Sequence, residues 1–199
     1  AQWCGQFHER ASEIQLAANS KGQAEMRVFS ALKTSLECHP LSSEIVDLQG
    51  ELIRFYDTQN VVRPIPLKAS TQAGGTAVMR GFDEIWGYEG DQANLFFDEV
   101  KESPACEVSV MVVTTYPCHD DSDGPLNKTL KKHFNDDDTP NGTLERPFED
   151  LPLWISHEDK LAIYWNNDAL LYPWHSQEFL DRKWNRRTSD SGYRRIWLC

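Results

Sequence analysis

The 199-residue sequence has no CxxC pair, no HExxH, no GxSxG elbow, no GxxxxGK[ST] loop and no GxGxxG fingerprint. These absences exclude zinc-finger and thioredoxin-like sites, zincin chemistry, the common serine-hydrolase nucleophile, and the standard phosphate and dinucleotide cradles. No metal or other cofactor is therefore expected. No run of 18 apolar residues occurs, so nothing is expected to span a membrane. There is no internal repeat and no low-complexity tract. Basic residues are also in short supply: 20 Lys and Arg stand against 31 Asp and Glu, for a net charge of -11. That balance repels phosphate backbones and anionic bilayers over long range, so neither nucleic acid nor membrane is expected as a partner.

What is present describes a folded chain. Hydrophobic residues make up 40% and charged residues 26%, a balance that supports a packed core rather than disorder. The length suits a single globular domain over residues 1–199, with 1–57 mostly helical and 58–199 mixing strands and helices. Acid and base are unevenly spread. From His175 to Cys199, six basic residues face three acidic ones, which leaves the remainder at -14. A basic tail folded back on an acidic body accounts for this, and an anion-binding patch is the alternative.

Cys4, Cys38, Cys106, Cys118 and Cys199 stand singly, and sequons occur at Asn127-Lys128-Thr129 and Asn141-Gly142-Thr143. Together they point to a secreted, extracellular glycoprotein with disulfides. The start at Ala1, without an initiator methionine or apolar leader, reads as a processed terminus. An odd cysteine count leaves one thiol free or joined to another chain, a route to a homo- or hetero-oligomer. Cys106 and Cys118 bracket a strand whose ends would lie roughly 35 Å apart. A disulfide needs Cα atoms about 6 Å apart. A Cys4–Cys199 bridge, with Cys38 paired to Cys106 or Cys118, is the expected arrangement.

Periodicity predicts helices over 9–19 and 23–36, and a third from Ser43, although 51–57 reads equally as a strand. Val61 to Leu67, with two prolines, suits an edge strand. Thr76 to Phe82 reads as a strand and Gly90 to Glu102 as a helix. Cys106 to Tyr116 is β-branched and is expected to be central and buried on both faces. A helix is expected over 125–134, a hairpin around Asn166-Asn167-Asp168, a helix from Ser176 and a strand over 193–198. The sum is an α+β fold, a mixed α/β sandwich. It has a central sheet of about five strands with helices packed on it and an N-terminal helical segment.

Four groups of residues could carry chemistry. His119 with Asp120, Asp121 and Asp123 places carboxylates in one loop, but the calcium-loop spacing fails at two of four acids, so a solvated turn is expected. Asn135 to Asp138 reads as a solvated acidic loop. His157-Glu158-Asp159 has the elements of a general base but no partner fixed by sequence. Aromatic side chains crowd the last third. Trp154, Trp165, Tyr172, Trp174 and Trp184 could line an apolar groove for a small ligand or glycan, with core packing as the alternative.

Between Gly87 and Trp165 the order is helix, strand, Pro117-Cys118, helix, strand, with Gly87-Tyr88-Glu89-Gly90 ahead of the first helix. This resembles the core of the cytidine deaminase-like fold and its secreted members. There, His-x-Glu opens the helix and Pro-Cys-x-x-Cys ends the strand. Glu89 matches the glutamate and Cys118 the first cysteine. Gly87 replaces the histidine and Asp121 the second cysteine, so the resemblance implies the fold without the zinc chemistry.

The reading these features support is a secreted, non-catalytic protein of ligand binding, storage, defence or extracellular assembly. The alternatives are a secreted hydrolase or nuclease using His119, His133, His157 or His175, a degenerate deaminase-fold enzyme, and a pathogen effector or toxin.

Overall fold

A computed structural model of the protein describes residues 2–7, 10–18, 20–66, 77–100, 106, 109–116, 123–137, 139–164 and 176–185. The chain divides into two compact units, Ala1–Thr115 and Tyr116–Cys199.

The first unit is built on six strands in the order β2-β3-β4-β1-β5-β6. They are β1 (Glu13–Ala17), β2 (Val46–Leu48), β3 (Ile53–Phe55), β4 (Val61–Ile65), β5 (Ala77–Asp83) and β6 (Val110–Thr114). β4, β1, β5 and β6 run parallel to one another, while the antiparallel hairpin of β2 and β3 joins the sheet with β3 antiparallel to β4. The mixed α/β class is thus as the sequence indicates, with six strands in the main sheet rather than five.

Side chains alternate across each strand. Ile14, Leu16 and Val62 point to one face, where Phe29 and Leu36 of the first helical run complete a core. On β5, Phe82 meets Tyr88, Phe96 and Phe97 at ring separations of 6.3, 6.3 and 5.4 Å. The last two rings come from helix α5 (Gly90–Val100). Burying such a ring is worth about 1.5–3 kcal/mol, and each well-oriented ring pair adds about 0.5–1.5 kcal/mol.

The first helical run follows β1 in three pieces: α2 (Lys21–Gln23), a π-helical turn (Ala24–Phe29) and α3 (Ser30–Glu37). Ser20 caps its start, its Oγ accepting from Gln23 N at 3.2 Å. A short helix α1 (Gln2–Phe7) is tied to the sheet through Asn60. The Asn60 amide donates to the carbonyls of Cys4 and Gly5, and its oxygen accepts from Ser12 N at 2.7 Å. A Cβ on Gly5 would overlap the Phe55 ring, so only glycine permits this approach.

Four sequence expectations differ from the structure. Residues 13–17 form β1, not a helix. Gln15, the polar residue that weakens a strand reading, is buried and accepts a hydrogen bond from Arg80 Nε at 2.9 Å. The helix expected from Ser43 is only α4 (Ser42–Ile45), and the chain then turns into β2 and β3, the strand alternative for 51–57. β4 is interior despite Pro64, because β3 pairs only with Val61 and Val62 and leaves Pro64 without a partner on that side. β6, expected to be central, ends the strand order among the described residues, with Val110 and Val112 exposed.

The second unit contains α6 (Pro125–His133), the antiparallel pair β7 (Leu153–Ser156) and β8 (Leu161–Tyr164), and α7 (Gln177–Trp184). Lys132 and buried His133, at the end of α6, hold Asp159 of the β7–β8 turn at 2.5 and 3.0 Å. The expected hairpin around Asn166 and the strand over 193–198 lie outside the described residues. No helix of the described residues is long and apolar enough to cross a membrane.

Candidate functional site at the carboxyl ends of the parallel strands

In sheets of this kind, ligands bind outside the carboxyl ends of the parallel strands, where successive loops converge. In the first unit those ends are Ala17, Ile65, Asp83 and Thr114. Charge enters this edge at β5, whose apolar run ends on Asp83 and is followed at once by Glu84. β5 is flanked on both sides by parallel partners, so its end is fixed by two ladders.

The two acids are held differently. Asp83 Oδ1 accepts a hydrogen bond from Thr114 Oγ1 at 2.9 Å. Asp83 makes no ion pair among the described residues, so its carboxylate keeps most of its acceptor capacity. Glu84 N donates to Thr114 O at 2.8 Å, and Trp86 N donates to Thr115 Oγ1 at 3.0 Å, stitching the β5 loop to the end of β6. Glu84 adopts left-handed backbone geometry, φ 59° and ψ 42°, which is costly for a residue with a Cβ. Its Oε1 accepts from Arg27 Nη1 at 3.0 Å and its Oε2 from the Trp86 indole. Arg27 comes from the π-helical turn, a rare geometry often found at functional sites. Nearby Tyr88 is fully buried, and burial, with the Asp83 charge second, pushes its phenol pKa well up.

The residues singled out from sequence do not assemble here. Trp154 sits on β7, edge-on to Phe134 at 5.7 Å, with the Arg146 guanidinium 5.8 Å from its ring centre. It is packed within its own unit. Trp184 belongs to α7, and Trp165, Tyr172 and Trp174 lie outside the described residues, as do His119 and His175. Glu89 is exposed just ahead of α5. His157 is exposed, 2.9 Å from Glu145. Asp137 lies in an exposed turn, where hydrogen bonds from Thr139 hold its carboxyl below the usual range.

The expected covalent features are not found. Cys4, Cys38 and Cys106 are free thiols, and Cys4 is buried, so the Cys4–Cys199 bridge and a pairing of Cys38 with Cys106 are both ruled out. Cys118 and Cys199 lie outside the described residues. Asn127 is buried in α6, and the half-buried Asn141 donates its side-chain amide to the Lys132 carbonyl.

The acid pair was missed because each acid alone is unremarkable. The available signal was positional: two adjacent acids directly after the apolar strand 76–82.

No protein-family model and no curated protein sequence matches the chain. Among solved structures, the large terminase of bacteriophage HK97 is similar in fold, with a TM-score of 0.52 at 15% identity over 65% of this chain. The matched part is 27% of the terminase chain, so this chain spans about a quarter of that protein's length. With the free thiols and the buried Asn127, this likeness overturns the reading of a secreted, glycosylated, disulfide-containing, non-catalytic protein.

Proposed function

We propose that the first unit is a nucleotide-handling α/β domain that supplies the metal-binding and water-orienting acids of a phosphoryl-transfer site. The observation that carries this reading is the Asp83–Glu84 pair at the carboxyl end of β5, between parallel neighbours. In P-loop nucleotide hydrolases an aspartate holds the magnesium ion that bridges the phosphates. The fold likeness to a phage large terminase is in keeping with such a role.

The donor set fits magnesium. Among the described residues, no group of three or more His, Cys, Asp or Glu could cage a metal by itself. Magnesium at nucleotide sites needs no such cage, since one or two carboxylates and the phosphate oxygens share it with water. Asp83 would hold the ion, with one oxygen oriented by Thr114 Oγ1. When bound, magnesium offsets the negative charge of the transferring phosphoryl group. Glu84, one residue on, would orient the attacking water and accept its proton. The sequence has no GxxxxGK[ST] loop, so these residues would form the metal and water half of the site and not the triphosphate cradle.

A second polypeptide segment or subunit would supply the triphosphate cradle and complete the site.

The test is a titration of the full chain with Mn²⁺, with and without ATP, following the free-ion EPR signal. Mn²⁺ uptake by the chain that strengthens at least tenfold with ATP, after subtraction of the Mn²⁺ bound by ATP in a protein-free control, supports the reading. Mn²⁺ uptake that ignores ATP contradicts it.

A further inference from the structure

We propose that Arg27 is a ligand-responsive positioning residue. It pairs with Glu84 when no phosphate is present and exchanges that carboxylate for a phosphate oxygen of the ligand held at Asp83. This rests on the nucleotide reading above and names the residue that couples ligand arrival to the freeing of Glu84.

Four observations converge on Arg27. Its Nη1 donates to Glu84 Oε1 at 3.0 Å, so it lies at the same strand ends as Asp83. Among the described residues it uses only that one nitrogen, and a guanidinium carries five donors, so the fork is open to a second anion. Its side chain is 54% exposed while that of Glu84 is 17% exposed, so the arginine is the partner that a ligand from solvent can reach. Finally, it rides on a π-helical turn, while Glu84 holds a strained left-handed backbone. Both partners of the pair thus sit on unusual backbone.

The direction of exchange follows from the strength of the competing pairs. A solvent-facing ion pair is weak. A guanidinium on phosphate is bidentate, charge-assisted and stronger. Arrival of a triphosphate beside Asp83 therefore draws Arg27 away. Glu84 is then left with the Trp86 indole as its remaining held contact and an oxygen free to face water. While it pairs with Glu84 Oε1, the same arginine occupies that oxygen and keeps Glu84 from acting as a base.

The experiment uses the full chain with MnATP as the probe. Affinity is read by EPR. The Trp86 signal is isolated by subtracting the fluorescence of Trp86→Phe. In the wild type, MnATP binding is expected to shift Trp86 emission as Glu84 rearranges. In Arg27→Gln, affinity is expected to fall at least fivefold and the ligand-induced Trp86 change to vanish, with Arg27→Lys intermediate on both. Circular dichroism confirms that the exposed substitution leaves the fold intact. Wild-type affinity and a wild-type Trp86 change in Arg27→Gln would overturn the proposal, as would either effect without the other. Failure of the nucleotide reading looks different: the wild-type chain itself would take up no MnATP.

Discussion

Thr114 Oγ1 donates to Asp83 Oδ1 at 2.9 Å, joining the carboxyl ends of two adjacent parallel strands through their side chains. A carboxylate oriented by a neutral hydroxyl keeps its charge and most of its lone pairs, as a metal-holding group requires. Thr114→Val is expected to lower ATP-dependent Mn²⁺ affinity about tenfold, in the range typical for groups that orient a metal ligand. The apo protein should be destabilised by only about 0.5–1.5 kcal/mol. Metal titration and urea denaturation on the same variant separate the two effects. Equal metal affinity in both proteins would remove Thr114 from the site.

Arg80 is a buried cation on β5 whose Nε is satisfied by Gln15 and whose Nη1 has no partner. Burial pulls its pKa down, opposed by the nearby Glu13 charge. Gln15→Leu should cost about 1.5–3 kcal/mol, because it removes the one hydrogen-bond partner of the buried Nε. The double change Gln15→Leu with Arg80→Met should be near neutral or stabilising. A urea double-mutant cycle reads the coupling, and simple additivity of the two single changes would refute this account of the pair.

The clasp around Asn60 sets the position of α1. Asn60→Ala removes the side-chain acceptor of the Ser12 amide and the amide donor shared by the Cys4 and Gly5 carbonyls, of which Gly5 O keeps its bond from Thr58 Oγ1, and is expected to cost about 1–3 kcal/mol. Gly5→Ala should cost a similar amount, about 1–3 kcal/mol, by forcing its Cβ into the Phe55 ring. Thermal melts of both variants check this, and a Gly5→Ala protein as stable as the wild type would contradict the packing described.

Acid should act on the second unit through Asp159. Lys132 first, by hydrogen bond and then by charge, and His133 after it hold the Asp159 carboxyl below its ordinary value. A folded pKa depressed below the unfolded one gives stability that is complete above the unfolded value, about 3.9. That stability is lost as pH falls from there through the folded value. Melting temperatures between pH 2.5 and 6 should therefore fall less steeply on the acid side for Asp159→Asn than for the wild type. Parallel curves would show that the cluster carries no such linkage.

How far the sequence could be read differs element by element. β5, α5 and α6 were legible because an apolar run, a helical stripe and an N-terminal Pro125 are local signals. β1 was not, because Ile14, Ala17 and Ala18 fall at helical spacing and the strand is short. What makes it a strand is pairing with β4 and β5 and the Gln15–Arg80 bond, which are tertiary. β6 carried the strongest strand signal, but its β-branched residues said nothing of its place in the strand order. Cysteine and sequon counts pointed outward to secretion, whereas burial of Cys4 and Asn127 depends on packing that no count reveals. Asp83 and Glu84 were visible as letters, and only the topology shows that they sit where parallel strand ends meet.

The measurement that tests the account most directly locates the metal. Amide and indole signals of the isotopically labelled full chain are followed by NMR while Mn²⁺ is added in the presence of ATP. Paramagnetic broadening is expected to centre on residues 83–86 and 114–115 and to extend to Arg27, and to disappear in Asp83→Asn. Broadening centred instead on the exposed acidic turn around Asp136 and Asp137, or unchanged by Asp83→Asn, would contradict a nucleotide-linked metal site at the end of β5.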